Sequence, residues 1–583
     1  MKSVFLKIIT FSVCMSMLAM THAEALDIAS AEEGKEAQYS DVSARGVWHR
    51  PNSSGRETTL EGLCSVLDEM ASSGINMVFL ETFYHGMTVF KTNLVPYYTG
   101  FEKYDYGEYP DYLTAFTSEA EKRGIEVHAW VECFYLGVKE DTALVKYFPS
   151  WLLINEHGEI RHTTEGAELG GYIFFDPANQ DARAYLLSFY EEMLRSVPGL
   201  KGLNLDYIRY PVSDFNSGTD SGYTQPAMSE FAEKYGLTIS ESNTIQDFKA
   251  QIRLKSLVKE WIDYRADQVT SFVQQVSEMI NEKYRDRIIS VAVHPDINSA
   301  YNQKKQDFIT WVDNGYIDVV TPMVYYYDSY QISSALKDMM ARFKGVYCYS
   351  GLYTTYHNQS TAELEKHITA SDDCGADGFI LFESAKTFFD PSYDYADYLA
   401  KKYHKETTLS ALPHWSTDKL IEASTDVITS ILTDNGESEE TVKGFIEQME
   451  TIALIGEESS EAIDKTIGEI DALRDHELLK KLGDDSYSSA KATLDMLLEH
   501  LEVRKARLSF KGFADDGEPE EDEGASEGND KVEPPCDDEN TDDGEYCDPP
   551  GDSDVTEKRG FFDIIRELFQ RIANWFRNLF SKK

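Results

Sequence analysis

The sequence predicts an α/β protein built on a (β/α)8 TIM barrel, followed by a small helical bundle, an acidic disordered linker and a C-terminal amphipathic helix. Between residues 45 and 402, eight short β-rich runs alternate with amphipathic stretches. Strands that alternate with helices pair in parallel through βαβ units, and eight such units close a barrel. No GxGxxG motif follows the first run. This disfavours the alternative fold, an open doubly wound sheet that binds a dinucleotide.

The predicted strands are short apolar runs, most of which end in polar residues. They are Gly46–His49, Asn76–Glu81, Glu126–Glu132, Gly202–Asp206, Ile288–His294, Asp318–Val324, Val346–Ser350 and Gly378–Glu383. Between them, apolar side chains recur at helical spacing, which predicts the barrel helices. These helices are Thr59–Ser73, Tyr112–Arg123, Gln180–Ser196, Ile252–Tyr284, Gln306–Asn314, Gln331–Phe343 and Thr361–Cys374.

The first 25 residues are predicted to be an export signal. Lys2 and Lys7 provide a positive start, Ile8–Met20 an apolar stretch, and Ala23 and Ala25 small residues for cleavage. The apolar stretch is too short to span a bilayer well. We therefore expect an exported protein that is extracellular or attached to the cell surface.

A helical bundle is predicted for residues 408–512. Leucine, isoleucine and methionine recur there at helical spacing, as expected for antiparallel packed helices. The segments are Lys419–Leu432, Glu439–Leu454, Ser460–Leu473 and Tyr487–Leu508. Two roles remain open for this bundle, binding of a cell-wall polymer and bracing of the barrel.

Charge is concentrated towards the end of the chain. The net charge is −47, and residues 513–558 alone hold twenty acidic residues and two lysines. Such a segment buries too little apolar surface to fold, so we predict a solvated linker. Residues 559–583 combine an apolar stripe with arginines and lysines, which is typical of a helix lying on a membrane surface. A chain this acidic is not expected to bind nucleic acid.

Four of the predicted strands end in carboxylates, namely Glu81, Glu132, Asp206 and Glu383. In TIM barrels the carboxyl ends of the strands surround the active site. Converging acids repel each other and are costly to desolvate, so they persist mainly where they bind a cation or transfer protons. These four residues are therefore the strongest indication of function in the sequence.

Glycoside cleavage needs two carboxyl groups beside the scissile bond. We predict Asp206 as the nucleophile or electrostatic stabiliser, because it ends a clean apolar strand and Arg209 nearby would favour its ionised form. Its partner is predicted to be Glu383 or Glu132, and the aromatic surroundings of Glu132 would raise its pKa as a general acid requires. The predicted substrate-binding residues are His49, Glu81, Trp130, Arg209, His294, Tyr325 and Asp328.

A metal-dependent hydrolase is the competing enzyme class. His85, His128 and His294 together with the carboxylates would have to supply its ligands, but the sequence contains no HxH or HExxH motif. A serine hydrolase is disfavoured because no GxSxG motif is present. We therefore predict neither a cofactor nor a catalytic metal.

Several motifs resemble the bacterial glycosyl-hydrolase-like family 10. They are Arg-Gly-Val-Trp at 45–48, Arg-Gly-Ile-Glu-Val-His-Ala-Trp at 123–130, Gly-Leu-Asn-Leu-Asp-Tyr-Ile-Arg-Tyr-Pro at 202–211 and Asp-Val-Val-Thr-Pro-Met-Val-Tyr at 318–325. The resemblance covers roughly residues 45–400. It implies a TIM barrel distantly related to the α-amylase type, an exported enzyme and a polysaccharide substrate; some relatives cut peptidoglycan glycan strands.

The resemblance also implies a central role for the acid after the fourth strand, which is Asp206 here. Many relatives have Gln in place of Glu81, Asn in place of Glu132 and Asp in place of Tyr207. The leading hypothesis is therefore an exported glycosidase acting on a polysaccharide such as peptidoglycan glycan. The alternative is a carbohydrate-binding surface protein that keeps the barrel without the chemistry.

Overall fold

The computed structural model describes residues 42–98, 100–239, 244–343, 345–354, 360–403, 411–456 and 459–511. The predicted export signal, the acidic linker at 513–558 and the C-terminal amphipathic helix at 559–583 lie outside the described residues. Within the described part of the chain, none of the helices is both long and apolar enough to cross a membrane.

Eight parallel strands form a closed barrel, which confirms the predicted fold class. Each strand pairs in parallel with the next, and the last pairs with the first. The strands are β1 (Ala44–His49), β2 (Met77–Tyr84), β3 (Glu126–Glu132), β4 (Gly202–Asp206), β5 (Ile288–Val293), β6 (Val319–Pro322), β7 (Tyr347–Tyr353) and β8 (Gly378–Phe382). Short two-residue strands at Met87–Thr88, Arg161–His162 and Tyr172–Ile173 lie in the loops.

Alternation of side chains along the strands explains both the barrel core and the rim above it. Trp48, Phe79 and Trp130 belong to one buried cluster inside the barrel. The indole Nε1 of Trp48 donates to Asn204 Oδ1 at 3.1 Å, which extends this layer to β4. Because side chains two residues apart share a face of a strand, the next inward positions rise above the core at the carboxyl ends. Those positions are Arg50, Glu81, Glu132 and Asp206.

Helices surround the barrel in the order that the sequence predicts. Their bounds are Leu60–Ser72, Tyr112–Glu121, Ala143–Tyr147, Gln180–Ser196, Gln225–Tyr235, Ile245–Leu254, Val258–Lys283, Ile297–Lys304, Phe308–Asp313, Ser329–Met340, Thr361–Asp372 and Tyr395–Tyr403. One prediction is wrong in detail: Ile252–Tyr284 is not one helix but parts of two. The break falls at Ser256, whose φ of +58° is incompatible with a continuous right-handed helix.

Four further helices follow the barrel, where the sequence predicts helical segments. They are Thr417–Asp434, Glu439–Ala453, Ser460–Arg474 and Asp484–Lys511. The segment that leads into them closes the amino-terminal end of the barrel, which we call the barrel floor: Leu412 is buried in the barrel's core cluster and Trp415 packs against it. Arg504 Nη1 also donates to the hydroxyl of Tyr347, at the start of β7, at 2.8 Å. These helices therefore contact the end of the barrel opposite the rim.

A buried ion pair secures the long insertion after β4. Arg265 Nη1 lies 2.6 Å from Asp220 Oδ1 and 2.6 Å from the carbonyl oxygen of Ser221, and both charged side chains are fully buried. The hydroxyl of Tyr223 donates to the second oxygen of Asp220. This pair connects the insertion to the helix Val258–Lys283, which packs on the barrel.

We expect Arg265→Met to lower the free energy of unfolding by about 3–5 kcal/mol, because the Asp220 carboxylate would remain buried without its partner. Urea unfolding followed by tryptophan fluorescence would measure this loss. The matched control is Lys259→Met, which breaks an exposed pair with Asp263 on the same helix and should change stability little. Equal effects of the two substitutions would contradict this account of the insertion.

Candidate active site

Four carboxyl groups and one guanidinium share the rim of the barrel. Arg50 extends from the end of β1, and its Nε lies 3.3 Å from Glu383 Oε2 and 3.6 Å from Glu81 Oε1. The guanidinium also lies over the rings of Tyr84 and Trp130, with 5.7 Å to each ring centroid. These contacts hold Arg50 at the centre of the rim.

Three polar atoms of this group have no hydrogen-bond partner among the described residues. They are Arg50 Nε, Glu81 Oε1 and Glu383 Oε2, and each atom is buried. Their ion pairs are close enough for attraction but are not aligned as hydrogen bonds. Buried polar atoms in folded proteins are nearly always hydrogen bonded. These three atoms are therefore available for hydrogen bonds to a ligand at the rim.

Burial disfavours the charged form of two of the carboxyl groups. Burial raises the pKa of Glu81 to about 8; Arg50 opposes this shift, while Glu383 and Asp206 add to it. Burial also raises the pKa of Glu132 well above its usual range, and the nearby charge of Glu81 reinforces the shift. Glu81 is thus largely neutral at pH 7 and able to donate a hydrogen bond, and the charged form of Glu132 is likewise disfavoured.

Asp206 is held by two donors. Its Oδ2 accepts from the indole Nε1 of Trp130 at 3.0 Å, and its Oδ1 accepts from the backbone N–H of Tyr207 at 2.6 Å. Burial raises the pKa of Asp206, but the hydrogen bond from Tyr207 and the charge of Arg209 oppose the shift. Of the rim carboxyl groups, Asp206 is the one whose two oxygens are both fixed by protein donors, so its position is well defined.

Asp206 and Glu383 belong to opposite walls of the barrel. Asp206 ends β4, and Glu383 directly follows β8, joined to Phe382 by a cis peptide bond. In a closed barrel of eight strands, β4 and β8 lie half a circumference apart. Tyr325 follows β6, between the two walls. Burial raises the pKa of its hydroxyl well above the usual range, and the charges of Asp206 and Glu383 add to this shift. Its ring packs on Tyr353 and Phe382, with centroids 5.2 and 5.7 Å apart.

Glu132 lies beside Asp206 instead of opposite it. The two residues are register partners on the paired strands β3 and β4. Glu132 Oε2 accepts a hydrogen bond from the backbone N–H of His85 at 3.0 Å. The residue is 2% exposed, whereas the side chain of Glu383 is 19% exposed. Glu383 is therefore the more accessible of the two predicted partners of Asp206.

Arg209 favours the ionised form of Asp206 through its charge, as the sequence predicts, but its hydrogen-bond partner is a different carboxylate. Arg209 forms a bidentate salt bridge with Glu165, in which Nη1 and Nη2 lie 2.7 and 3.1 Å from the two carboxylate oxygens. Glu165 comes from the loop after β3, and its position has no signal in the sequence. Arg209 still influences the rim through its charge on Asp206.

His49 does not reach the rim. It is fully buried, and its Nδ1 is 2.7 Å from Ser384 Oγ while its Nε2 is 2.8 Å from Glu57 Oε2. Burial raises the pKa of Glu57, but His49 and further hydrogen bonds lower it to about 2. His49 is therefore enclosed by protein groups and has no open face at the rim. Because Ser384 follows Glu383, His49 instead positions the end of β8.

Three other predicted substrate-binding residues occupy different settings. Trp130 is 2% exposed, so it positions Asp206 and does not offer an open face to a sugar. His294 is partly buried, and burial lowers its pKa to about 4. Asp328 is exposed and caps the helix Ser329–Met340 by accepting from the backbone N–H of Tyr330 at 2.8 Å. Capping explains Asp328 without any contact to substrate.

An aromatic wall beside the rim was not identified from the sequence. The rings of Tyr135 and Tyr207 stack with centroids 4.5 Å apart, and Tyr172 lies 4.6 Å from Tyr135. Tyr207 has a φ of +45°, which turns the chain sharply after Asp206. Glu81 also lines a small cleft together with Tyr84, Met87, Tyr98, Phe101 and other residues of β2 and the loops after β1 and β2. Both features provide apolar surface next to the carboxyl groups.

The histidines considered for a metal hydrolase do not come together. Among the described residues, the one group of three side chains close enough to share an ion is Glu126, His128 and His414. Glu126 begins β3, so this group lies at the barrel floor. His85 and His294 are not part of it. The geometry therefore does not support metal-assisted chemistry at the rim by the predicted ligands.

The raised pKa of Glu81 has a consequence for stability. The Glu81 carboxyl binds its proton more tightly in the folded chain than in the unfolded chain. The free energy of unfolding therefore falls as pH rises from about 4.5 to about 8 and this proton is lost. We expect Glu81→Gln to remove this cost, so that the variant gains Tm over the parent protein as pH rises from 5 to 8. Thermal unfolding at both pH values would measure the gain.

The control for this titration is Glu233→Gln, which alters an exposed side chain on the helix Gln225–Tyr235. The Tm difference between this variant and the parent should not depend on pH. A Glu81→Gln difference that is equally flat between pH 5 and 8 would contradict a neutral, buried Glu81.

Comparisons with known proteins identify the family of this chain. Residues 43–363 match the family model described as glycosyl hydrolase-like 10. Glycosyl hydrolase DigH from Escherichia coli is 22% identical over 291 residues, which cover 48% of this chain and 61% of DigH. An S-layer-related protein from Niallia circulans is 22% identical over 316 residues, which cover 49% of this chain and 19% of that protein.

Among solved structures, the catalytic domain of β-amylase from Paenibacillus polymyxa matches with a TM-score of 0.42 and 12% identity. The match covers 63% of this chain and 100% of that domain. The chain spans about three fifths of DigH and a smaller part of the S-layer-related protein. Because the family model covers more than half of the sequence, the protein belongs to the glycosyl hydrolase-like 10 family.

Proposed function

We propose that this protein is an exported glycoside hydrolase that cleaves O-glycosidic bonds of a polysaccharide, with Asp206 and Glu383 as its catalytic pair. The observation that carries the proposal is the placement of these two carboxyl groups on opposite walls of one barrel mouth, with Arg50 beside Glu383. Glycosidases place two carboxyl groups on either side of the scissile bond. Membership of a glycosyl hydrolase-like family supports the same reaction class.

Asp206 is proposed to stabilise or attack the anomeric carbon. The transition state of glycoside cleavage resembles an oxocarbenium ion, so a carboxylate placed beside it lowers the barrier. The donors Trp130 Nε1 and Tyr207 N hold the Asp206 oxygens, which reduces the reorganisation needed during the reaction. Both donors also favour the ionised form of the group.

Glu383 is proposed to protonate the leaving oxygen. It lies across the mouth from Asp206 and is the more exposed of the two partners that the sequence predicts. Glu132 shares a wall with Asp206, and its burial leaves little room for contact with a sugar. Glu81, which is largely neutral at pH 7 and lines the cleft beside the rim, would instead donate a hydrogen bond to a sugar hydroxyl group.

The proposed substrate is a peptidoglycan glycan strand or a similar polysaccharide. The ring of Tyr207, which is partly exposed beside Asp206 and stacks on the buried Tyr135, suits contact with a sugar ring. The predicted export signal at residues 1–25 would deliver the enzyme to the cell surface. Digestion of purified cell wall and of defined glycans would identify the sugar that is cleaved.

We expect Asp206→Asn to lower kcat on a cleaved glycan by about 10³-fold or more, because the stabilising negative charge is lost. Release of reducing ends from purified glycan strands would measure it. The matched control is Asp313→Asn, at the exposed end of the helix Phe308–Asp313, which should keep full activity. Full activity of Asp206→Asn would end the proposed assignment.

The roles of Glu383 and Glu132 can be separated in the same assay. Loss of a general acid costs about 10²–10⁴-fold, and it costs least when the leaving group needs no protonation. Glu383→Gln should therefore impair natural glycans strongly and activated aryl glycosides weakly. Glu132→Gln should affect both substrates to the same degree. The reverse pattern would assign the proton transfer to Glu132.

The alternative function is glycan binding without cleavage. It predicts that the protein binds glycan strands, releases no product, and keeps its affinity when Asp206 or Glu383 is replaced singly. The placement of Asp206 and Glu383 on opposite walls of the barrel mouth favours the enzyme.

We also propose that residues 559–583 attach the enzyme to a membrane surface, on the basis of their basic amphipathic pattern. We expect a chain ending at residue 558 to move from the membrane fraction to the soluble fraction of the producing cells. In a second variant, Phe561, Ile565 and Leu568 are replaced by Ser. This variant keeps the basic charge but loses apolar contact with the membrane, so it should move to the soluble fraction as well. Unchanged membrane association of both variants would contradict this role.

A further inference from the structure

A second cluster of polar side chains lies at the barrel floor, at the opposite end from the rim. Glu126 and His128 are two residues apart on β3, so both point to the inside of the barrel. His414 comes from the segment that closes the floor. One ligand atom from each of these three side chains lies within 4.8 Å of the other two.

His128 has unused polar atoms in this setting. It is fully buried, and neither Nδ1 nor Nε2 has a hydrogen-bond partner among the described residues. Its ring packs near Phe79 and His414, with centroids 5.6 and 5.8 Å away. A buried imidazole with two unbonded nitrogens is costly unless a ligand engages it.

The other two residues are oriented by outer hydrogen bonds. The hydroxyl of Tyr349 lies 2.7 Å from His414 Nδ1, which leaves Nε2 facing Glu126 Oε2 at 3.2 Å. The indole Nε1 of Trp415 donates to the same oxygen at 2.7 Å. Partners of this kind typically fix the orientation of metal-binding histidines and carboxylates.

We propose that Glu126, His128 and His414 bind a divalent transition-metal ion, with zinc as the best match. Two imidazoles and a carboxylate form a ligand set that zinc accepts, with a water molecule as the fourth ligand. The ion would join β3 to the segment that leads into the C-terminal helices. Its role is structural, because the rim lies at the other end of the strands.

Lys419 is the competing cation at this site. Its Nζ lies 3.6 Å from Glu126 Oε1 and 4.1 Å from the centroid of the Trp415 ring. The lysine side chain is 44% exposed, so it can turn into solvent when the carboxylate binds a metal. The Lys419 ammonium and the metal ion therefore compete for the Glu126 carboxylate.

The test uses the untagged full chain, first stripped with a chelator and then dialysed against zinc. We expect about one zinc per chain by elemental analysis and a higher Tm with zinc than without it. His128→Gln and Glu126→Gln should each weaken zinc binding at least about tenfold in a competition titration with a chromophoric chelator. The control is His157→Gln, which removes an exposed histidine elsewhere and should leave the affinity unchanged.

Lys419→Met keeps the test decisive if the buried variants fail to fold, because it leaves all three ligands in place. Because this variant lacks the competing positive charge, it should bind zinc more tightly than the parent. The proposal is overturned if the parent chain retains no stoichiometric zinc, if zinc binding survives the loss of His128 or Glu126, or if Lys419→Met binds zinc no more tightly than the parent. Activity of the rim is not needed for any of these measurements, so they stand apart from the proposed function.

Discussion

The candidate site depends on a single cation, Arg50, which is surrounded by more carboxyl groups than it can neutralise. The barrel imposes this arrangement, because the layer of Trp48, Phe79, Trp130 and Asn204 fills the interior and the next inward residues must stand above it. One guanidinium cannot compensate four buried negative charges. Burial disfavours the charged forms of Glu81 and Glu132, which reduces this conflict.

This distribution of protons divides the rim into parts with different chemistry. Burial disfavours the charge of the carboxyl groups on β2 and β3, whereas Asp206 is held by donors that favour its anion. Glu383 stands apart from both sets, on the opposite wall and in contact with Arg50. A glycosidase requires one carboxyl group that gives a proton and one that bears charge, and we propose Glu383 for the first role and Asp206 for the second.

Much of the fold could be predicted from the sequence, because strand and helix periods are local properties. Every barrel strand lies within three residues of its predicted bounds. The convergence of Glu81, Glu132, Asp206 and Glu383 followed from the same reasoning, since parallel strands end at one rim. The central role of Arg50 could also have been found, because it lies two residues beyond the inward-facing Trp48.

Other features depend on contacts that no local pattern reveals. The partner of Arg209 is Glu165, which lies 44 residues earlier in the chain, and His49 is sequestered by Glu57, Tyr112 and Ser384. Asp328 resembled a rim acid but caps a helix, a role with the same sequence signature. At the barrel floor, His414 meets β3 only because the chain returns beneath the barrel after the eighth strand.

The central claim is that Asp206 and Glu383 act on one glycosidic bond between them. The most direct measurement is a crystal structure of the Asp206→Asn protein with a bound glycan oligosaccharide. The account predicts that the glycan crosses the barrel mouth, with one glycosidic oxygen within hydrogen-bond reach of Glu383 and its anomeric carbon facing residue 206. A glycan that binds away from the mouth, or whose glycosidic oxygens all lie beyond the reach of Glu383, would contradict it.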